Sequence, residues 1–276
     1  MSLFLCPICG APLTREAGAY RCVGGHSYDI AREGYVHLLP ANRKHSRQPG
    51  DDREMAAART RFLSAGWYSH LLDALCAQAL RYAGPAPVFL DAGCGEGYYT
   101  AGVAEALAGS GRQVRACGVD LSKFALRKAA RRSPGTEFAV ASVYHLPVAD
   151  GAADLLLDCF APLAAEEYRR VMKPGGVFLY VVPAPEHLME MKSILYEETY
   201  ENPEQQVEYE GFTYLNVVPA ERTLHLNSRE AIQDLLGMTP YAWKTPKAGL
   251  ERLGQMEELT VTAAFRIHVF RRNEEA

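Results

Sequence analysis

Three cysteines and one histidine near the amino terminus have the residue types and spacing of a metal site. Cys6 and Cys9 are separated by two residues, and Cys22 and His26 form a second close pair after twelve intervening residues. Two such pairs on tight turns suit tetrahedral zinc. Because these ligands fill every position and leave none for water, we expect a structural zinc ion rather than a catalytic one. Unrelated cysteines beside a surface histidine are the alternative.

A second stretch with chemical potential is the glycine-rich segment Asp91-Ala-Gly93-Cys-Gly95-Glu96-Gly97, which follows the apolar residues Val88–Leu90. Glycines at alternate positions allow a tight turn and let a ligand approach bare backbone. A later apolar stretch ends at Asp120, where an acid can accept hydrogen bonds from both ribose hydroxyls. The glycine spacing differs from the dinucleotide fingerprint, so no pyrophosphate has to be bound. Another Rossmann-type nucleotide site is the alternative.

The elements that must position these residues alternate between apolar strands and helices. We expect strands at Val88–Leu90, Gln113–Val119, Phe138–Ala141, Asp154–Asp158 and Val177–Val182. This alternation predicts an α/β fold with a Rossmann-like, doubly wound, mostly parallel sheet, preceded by a small zinc-binding module. In such sheets ligands bind outside the carboxyl ends of the strands, which is where the glycine-rich turn and Asp120 fall.

Composition excludes several classes of protein. The chain has 276 residues and is 48% hydrophobic, which is too apolar for a disordered protein. A net charge of −4 excludes a generally basic protein that coats nucleic acid. Residues 1–48 nevertheless hold six Lys and Arg against three Asp and Glu, so a basic head precedes an acidic body. The seven cysteines do not suggest a secreted disulfide scaffold, no apolar run could span a bilayer, and we expect a cytoplasmic protein without membrane contact.

The central part of the chain, roughly residues 85–182, resembles the class I S-adenosylmethionine-dependent methyltransferases. The resemblance rests on Asp91–Gly97, on Asp120 and on Val171-Met-Lys-Pro-Gly-Gly176 before a strand. In that family the glycine-rich loop holds the methionine and ribose portions of S-adenosylmethionine, the distal acid holds the ribose, and the loop beginning here at Ser142 contacts the adenine. The resemblance therefore implies cofactor contacts at Asp91, Gly93, Gly95, Glu96, Gly97, Asp120 and Ser142.

A closer resemblance, to the RlmA family of 23S rRNA (guanine-N1)-methyltransferases, extends over nearly the whole chain. It rests on the cysteine and histidine module together with the segments Glu33–Pro40, Pro49–Asp51, Asp91–Thr100, Phe160–Pro162, His187–Glu190 and Met238–Trp243. It implies methyl transfer to N1 of a guanine in a 23S rRNA hairpin, a zinc module that helps to recognise the RNA, and a homodimer. By matching position, Tyr68 and His187 become further cofactor contacts. A core tyrosine and a histidine at a helix start are the alternatives.

Residues that handle the target base are expected in the loop after the fourth strand of the methyltransferase sheet. Other enzymes that methylate base amines carry Asn/Asp-Pro-Pro-aromatic there, and this chain reads Asp158-Cys-Phe160-Ala-Pro162. Phe160 is a candidate for stacking on the guanine, and Asp158 is a candidate general base. For Asp158 the alternative is a strand-end acid that caps or pairs.

Positive charge for RNA docking is expected in two places. One is a helix that carries Lys123, Arg127, Lys128, Arg131 and Arg132, for which a solvated helix face is the alternative. The other is the acid-free run Asn42–Arg47, which is either a polyanion contact or a solvated linker.

These observations divide the chain into three parts: a zinc-binding RNA-recognition module at 1–40, a linker and connecting helix at 41–70, and a methyltransferase domain at 71–276. Two other functions stay open from the sequence. One is a methyltransferase that acts on a small molecule. The other is a zinc-containing RNA-binding protein without catalytic activity.

Overall fold

The computed structural model of the chain describes residues 1–40, 50–203 and 208–274, although not the side chains of residues 243 and 244. The basic run Asn42–Arg47 lies outside these described residues. Within them, no helix combines the length and the apolar character needed to cross a membrane.

The amino-terminal part forms a small antiparallel sheet. Its strands β1 (Thr14–Arg15), β2 (Ala19–Arg21) and β3 (Ser27–Asp29) are arranged in that order. Gly18 makes the turn between β1 and β2 with φ of 81°, in the left-handed region that glycine adopts without strain. Three strands of two or three residues cannot form an independent core, so this sheet depends on its other contacts.

The rest of the described residues form the eight strands of a large sheet and the helices that cover it. In chain order they are β4 (Tyr35–His37), α1 (Arg53–Ser64), α2 (Ser69–Tyr82), β5 (Val88–Ala92), α3 (Tyr98–Gly109), β6 (Arg115–Asp120), α4 (Lys123–Arg132), β7 (Glu137–Val140), β8 (Ala153–Cys159), α5 (Ala165–Val171), β9 (Met172–Pro183), α6 (Met189–Leu195), β10 (Phe212–Leu226), α7 (Arg229–Gly237), α8 (Tyr241–Lys244), α9 (Lys247–Gly254) and β11 (Leu259–Arg272).

The large sheet has the strand order β10-β11-β9-β8-β5-β6-β7-β4. Neighbouring strands from β9 to β4 run parallel, and β11 runs antiparallel to both β9 and β10. This arrangement confirms the predicted Rossmann-like, mostly parallel sheet. Because the order reverses at β5, with β6 on one side and β8 on the other, the crevice at the carboxyl ends of these strands is the place where such sheets bind ligands.

Apolar residues on both faces of the central strands form the core. Leu155 and Leu157 of β8 pack beneath the helices on one face, whereas Leu156 packs on the face that carries the amino-terminal part. Fully buried strands with apolar side chains on both faces are typical of parallel sheets.

The amino-terminal part is built onto the large sheet rather than tethered beside it. Strand β4, which lies within residues 1–40, pairs parallel with β7 and extends the sheet by one strand. Glu137 of β7 accepts hydrogen bonds from the Leu3 amide at 3.0 Å, from the Tyr20 hydroxyl at 3.1 Å and from the Ser2 hydroxyl. Phe4 also forms a bridge to Val148. One carboxylate therefore anchors the small sheet to the edge of the large one.

Replacing that anchor gives a direct test of the docking. In the Glu137→Ala variant the hydroxyl of Tyr20, a residue only 1% exposed, loses its acceptor. We expect the free energy of unfolding to fall by about 1–3 kcal/mol, the cost of a buried polar group left without a partner. Urea denaturation measures the change, and hydrogen exchange should show faster exchange in residues 1–40. Glu105→Ala, an exposed substitution on α3, is the matched control; equal losses in the two variants would contradict the anchoring role.

Candidate functional site

The three cysteines and the histidine of the amino-terminal part come together as the sequence predicts. Their ligand atoms all lie within 4.8 Å of one another. The Cys9 and Cys22 sulfurs are 3.6 Å apart, and His26 Nδ1 lies 3.5 Å from the Cys6 sulfur and 3.4 Å from the Cys22 sulfur. A tetrahedral zinc ion would require edges of about 3.8 Å between sulfurs and about 3.6 Å between sulfur and nitrogen. The cluster therefore has the size of a zinc site.

Tight turns give the cluster this size. Gly10 and Gly25 adopt left-handed φ angles of 71° and 83°, and each closes a turn by donating its amide to the carbonyl of the cysteine that begins the pair. Gly24 lies against the ligands, because a Cβ there would be 3.3 Å from the Cys9 sulfur. The Tyr28 hydroxyl lies 3.1 Å from the Cys6 sulfur and is a second-sphere partner that the sequence did not indicate.

The glycine-rich loop joins β5 to α3 at the carboxyl edge of the sheet. Gly93 has φ of 83°, and a Cβ there would stand 2.3 Å from the Cβ of Ala161. Gly97 has φ of 80°, and a Cβ there would stand 2.8 Å from the Cβ of Ala129. Gly95 has φ of 54° and open space in front of it, bounded by a nitrogen of Arg59. The loop thus presents bare backbone to the crevice.

Two carboxylates at the ends of β5 and β6 flank this loop. Asp91 is 1% exposed, its Oδ2 accepts a hydrogen bond from the Thr100 hydroxyl at 2.5 Å, and burial raises its pKa to about 7. Asp120 accepts from the amides of Gly95 at 3.0 Å and Ser122 at 2.7 Å. A carboxylate has about four acceptor positions, so Asp120 can still accept from a diol.

Glu96, in the middle of the loop, is held by an arginine of α4. Its Oε2 lies 2.7 Å from Arg132, which also donates to the Ser64 hydroxyl. Arg127 and Arg131 lie 3.9 Å and 3.3 Å from Glu33 of the amino-terminal part. Three of the five basic side chains proposed for RNA docking on α4 therefore have acidic partners within the chain, whereas Lys123 and Lys128 are exposed.

An aromatic cluster closes the crevice on the side of β11. The rings of Tyr68 and His187 are 6.3 Å apart, and Phe265 lies 4.9 Å from the first and 4.6 Å from the second, measured between centroids. Burial lowers the pKa of His187 to about 3, so this imidazole is neutral, and its Nδ1 accepts from the Ala264 amide at 3.2 Å. Phe265 was missed in the sequence, because an apolar residue inside an apolar strand carries no local signal.

The exit of β8 places Phe160 at the rim of the crevice and Asp158 beneath it. Phe160 is 45% exposed and adopts φ of 64°, and its ring lies 5.4 Å from that of Phe265. Asp158 is fully buried, and it accepts hydrogen bonds from the Tyr168 hydroxyl at 2.7 Å and from the Ala161 amide at 3.0 Å. Burial raises its pKa to about 7. These bonds are those of an acid that holds the exit loop in place.

Ser142 begins the loop after β7, on the far side of Asp120. Its hydroxyl accepts a hydrogen bond from the Tyr144 amide at 3.3 Å. By their places in the fold, the sequence-predicted cofactor contacts fall into three groups: the glycine-rich loop, the strand ends at Asp120 and Ser142, and the aromatic pair Tyr68 and His187.

Several buried polar atoms around this crevice lack a hydrogen-bond partner within the described part of the chain. They are Asp91 Oδ1, Glu96 Oε1 and the hydroxyl oxygens of Tyr68 and Tyr99. Buried polar groups are normally paired, so a set of unpaired ones beside a glycine cradle indicates a place for a ligand with several polar groups. A nucleoside with an attached amino acid has this chemistry.

Comparison with known proteins agrees with both halves of this description. Residues 4–47 match the family described as RlmA, N-terminal, and residues 89–176 match the family described as Methyltransferase domain. The solved structure of the YcgJ protein from Bacillus subtilis superposes with a TM-score of 0.50 at 14% identity, covering 75% of this chain and 100% of that one. That likeness shows the fold alone. The methyltransferase match identifies S-adenosylmethionine as the cofactor, and the amino-terminal match together with the cluster identifies a structural zinc ion.

Curated relatives match along almost the full chain. A putative 23S rRNA (guanine-N1)-methyltransferase of Micromonospora griseorubida is 38% identical, with 96% of each chain covered. The 23S rRNA (guanine(748)-N1)-methyltransferase of Streptomyces fradiae is 35% identical, with 95% of each chain covered. Identity at this level over almost the whole length of each protein shows that the chain belongs to the 23S rRNA (guanine-N1)-methyltransferase family.

Proposed function

We propose that the protein transfers a methyl group from S-adenosylmethionine to N1 of a guanine in a hairpin of 23S rRNA. The observation that carries the proposal is the full-length identity of 35–38% to relatives named for this activity. The fold supports this function, because β4 of the metal module pairs with β7 of the sheet at whose carboxyl edge we place the cofactor. The methyltransferase region alone would not separate this function from methylation of a small molecule.

We assign the cofactor contacts from the residues at the carboxyl edge of the sheet. Gly93, Gly95 and Gly97 let the backbone approach the ligand, and Asp120 accepts hydrogen bonds from the ribose hydroxyls. In this assignment the unpaired Oδ1 of Asp91 accepts from the α-ammonium group, and the adenine is assigned to Ser142 and its loop. Glu96 and Tyr68, each with an unpaired oxygen, and the neighbouring His187 complete the assigned contacts. The zinc ligands are Cys6, Cys9, Cys22 and His26.

Bound S-adenosylmethionine supplies a methyl group that its sulfonium already activates, so the protein has to align the nucleophile and exclude water. Guanine N1 is paired inside an RNA helix and must be reached in an unpaired or extruded base. Phe160, half exposed at the rim, offers a ring on which such a base would stack. Asp158 supports this role by bonding the Ala161 amide, which fixes the turn that presents Phe160. Transfer would form the N1–CH3 bond and break the S–CH3 bond of the sulfonium, leaving S-adenosylhomocysteine, and the N1 proton must pass to a base. Asp158 is the candidate base, and it would have to give up a hydrogen bond from Ala161 or Tyr168 to accept that proton.

A groove of about 270 Å³ lies between the metal module and the loop that begins at Ser142, and it supports an RNA role for the module. It is lined on one side by residues next to the zinc ligands, including Pro7 and Gly10, and on the other by Ser142 and His145. Arg170 at its border has acidic partners in Glu167 and Asp150. An RNA hairpin that contacts the module would thus run past the loop proposed to hold the adenine.

Two further features belong to the proposal. We infer a cytoplasmic location from the ribosomal RNA that the relatives' names specify as substrate. We also propose a homodimer, which the family resemblance implies, whose two modules would flank one RNA.

A methyl-transfer assay tests the proposed function. With labelled cofactor and unmodified 23S rRNA, we expect incorporation at a single guanine, which blocks reverse transcription because N1 lies on the Watson–Crick edge. Asp120→Ala, which removes the ribose acceptor, should abolish incorporation, whereas Glu105→Ala on the surface of α3 should not change it. Methylation of a small metabolite only, with no transfer to RNA, would overturn the proposal. Failure of the wild-type protein to bind the cofactor would instead favour a non-catalytic RNA-binding protein.

The raised pKa of Asp91 predicts a pH dependence of cofactor binding. Protonation removes the negative charge that an α-ammonium group requires, so affinity should fall as the pH falls through about 7. We expect S-adenosylhomocysteine to bind about tenfold more weakly at pH 5.5 than at pH 7.5, measured by calorimetry. The Asp91→Asn variant should bind weakly at both pH values. A variant that retained the full pH dependence would show that another group titrates.

Removal of the metal tests the proposed division into a module at 1–40, a connecting segment at 41–70 and a methyltransferase domain at 71–276. Cys22→Ser should lose the bound zinc, about one ion per chain by elemental analysis, and loosen residues 4–26. Affinity for S-adenosylhomocysteine should change less than about threefold, because the proposed cofactor contacts all lie beyond residue 50. Cys76→Ser on α2 is the matched control. Parallel loss of zinc and of cofactor binding would contradict the division.

A further inference from the structure

Arg59 of α1 lies at the crevice and has no role in the contacts assigned so far. Its side chain is 28% exposed, and its guanidinium forms an ion pair with Asp51 and donates to the Met238 carbonyl at 3.1 Å. The nitrogen that faces Asp51 also stands 3.7 Å from the position of a Cβ on Gly95, the middle glycine of the loop. Since Gly95 has only its backbone there, the guanidinium borders the space that the loop leaves open.

The charge of Arg59 acts on groups from several walls of the crevice. Burial raises the pKa of Asp120 and of Glu96, and the positive charge of Arg59 opposes both shifts. The same charge opposes the rise that burial causes in the pKa of Cys159, at the exit of β8. The guanidinium therefore lies close enough to β6, the glycine-rich loop and β8 for its charge to act on groups of all three.

Asp51 fixes the position of Arg59 relative to the ribose end of the site. The Asp51 carbonyl accepts a hydrogen bond from the Ser122 hydroxyl at 2.5 Å. Gly50 has φ of 76°, and a Cβ there would lie 2.9 Å from the Ser122 amide nitrogen, which itself donates to Asp120. The segment Gly50–Asp51 is therefore packed against the start of α4, and the Asp51 carboxylate holds the guanidinium over the loop from that position.

We propose that Arg59, positioned by Asp51, binds the α-carboxylate of the methionine portion of the cofactor. The inference rests on the cofactor half of the proposed function and does not depend on the RNA substrate. S-adenosylmethionine carries a sulfonium, an ammonium group and a single carboxylate, whereas the crevice is rich in acids. That carboxylate needs a cation, and His187 is neutral. Arg59 and Arg132 are each paired with an acid, but only Arg59 places a nitrogen at the open space in front of Gly95. Arg59 has donors left over, because a guanidinium carries about five.

Removing the same contact from the ligand and from the protein tests this assignment. S-adenosylhomocysteine carries the amino acid portion, and 5′-methylthioadenosine lacks it but keeps the adenosine. In calorimetry we expect Arg59→Ala to weaken the binding of S-adenosylhomocysteine about 10- to 100-fold, because a charge-assisted hydrogen bond is lost. The affinity for methylthioadenosine should stay within about twofold of the wild-type value. The affinity of Arg59→Lys for S-adenosylhomocysteine should fall less, because lysine keeps the positive charge although it lacks the planar guanidinium. Arg53→Ala, an exposed arginine on the same helix, should bind both ligands as the wild type does.

Binding of decarboxylated S-adenosylmethionine tests the assignment in the wild-type protein, so the result does not depend on whether a variant folds. The wild-type protein should bind it about 10- to 100-fold more weakly than S-adenosylmethionine, and Arg59→Lys should narrow that ratio. Asp51→Asn should weaken the binding of S-adenosylhomocysteine more than that of methylthioadenosine, because the substitution displaces the guanidinium that contacts only the first ligand.

Three results would overturn the assignment. Equal weakening of both nucleosides by Arg59→Ala would show that the arginine only supports the fold of the crevice. Unchanged binding of both, with a raised KM for RNA, would assign Arg59 to an RNA phosphate instead. Equal affinity of the wild-type protein for the decarboxylated and intact cofactor would exclude a carboxylate contact. Each of these differs from failure of the proposed function, which appears as an absence of methyl transfer to RNA by a protein that binds the cofactor normally.

Discussion

The cofactor crevice depends on one steric constraint, the lack of room for side chains along the turn that follows β5. Gly93 is confined by Ala161 from the exit of β8, and Gly97 is confined by Ala129 from α4. Any larger residue would clash at either place and would also have to adopt a left-handed φ. The turn is therefore fixed relative to two neighbouring elements, and this brings the amide of Gly95 to the carboxylate of Asp120. The same packing therefore positions the glycine-rich loop, the carboxylate of Asp120 and the exit of β8 that carries Phe160.

Burial of several acids at this edge of the sheet gives the site its chemistry. Asp91 and Asp158 end adjacent strands, and burial raises the pKa of each to about 7, whereas two backbone amides stabilise the carboxylate of Asp120. Buried charge without compensation is costly, so the free protein holds Asp91 in an unfavourable state that a ligand ammonium group would relieve. Asp158 instead obtains compensation from Tyr168 and Ala161, which agrees with a structural role. Two acids with the same burial can therefore differ in function because only one has an unpaired oxygen.

Features that depend on neighbours in the chain were predictable from the sequence, and features that depend on distant neighbours were not. The spacing of Cys6, Cys9, Cys22 and His26 predicted the cluster, and strand, glycine turn and distal acid predicted the crevice, because each signal is local. The pairing of β4 with β7 was not predicted, since a three-residue strand becomes recognisable only through its partner. Arg59 reads in the sequence as one of several arginines on an amphipathic helix. Only the packing of α1 over the loop distinguishes it from Arg53 and Arg61.

The contacts between the metal module and the methyltransferase sheet set the position of the module relative to the cofactor site. The module is held at the sheet edge by Glu137 and β4, and its Glu33 neutralises part of the basic face of α4. After residues 41–49 the chain returns at Gly50–Asp51, against Ser122 at the ribose end of the crevice. Contacts on both sides of that segment fix the distance between the zinc cluster and the cofactor site. If the module binds RNA as proposed, its docking at the sheet edge would set which bases of that RNA lie within reach of the methyl group.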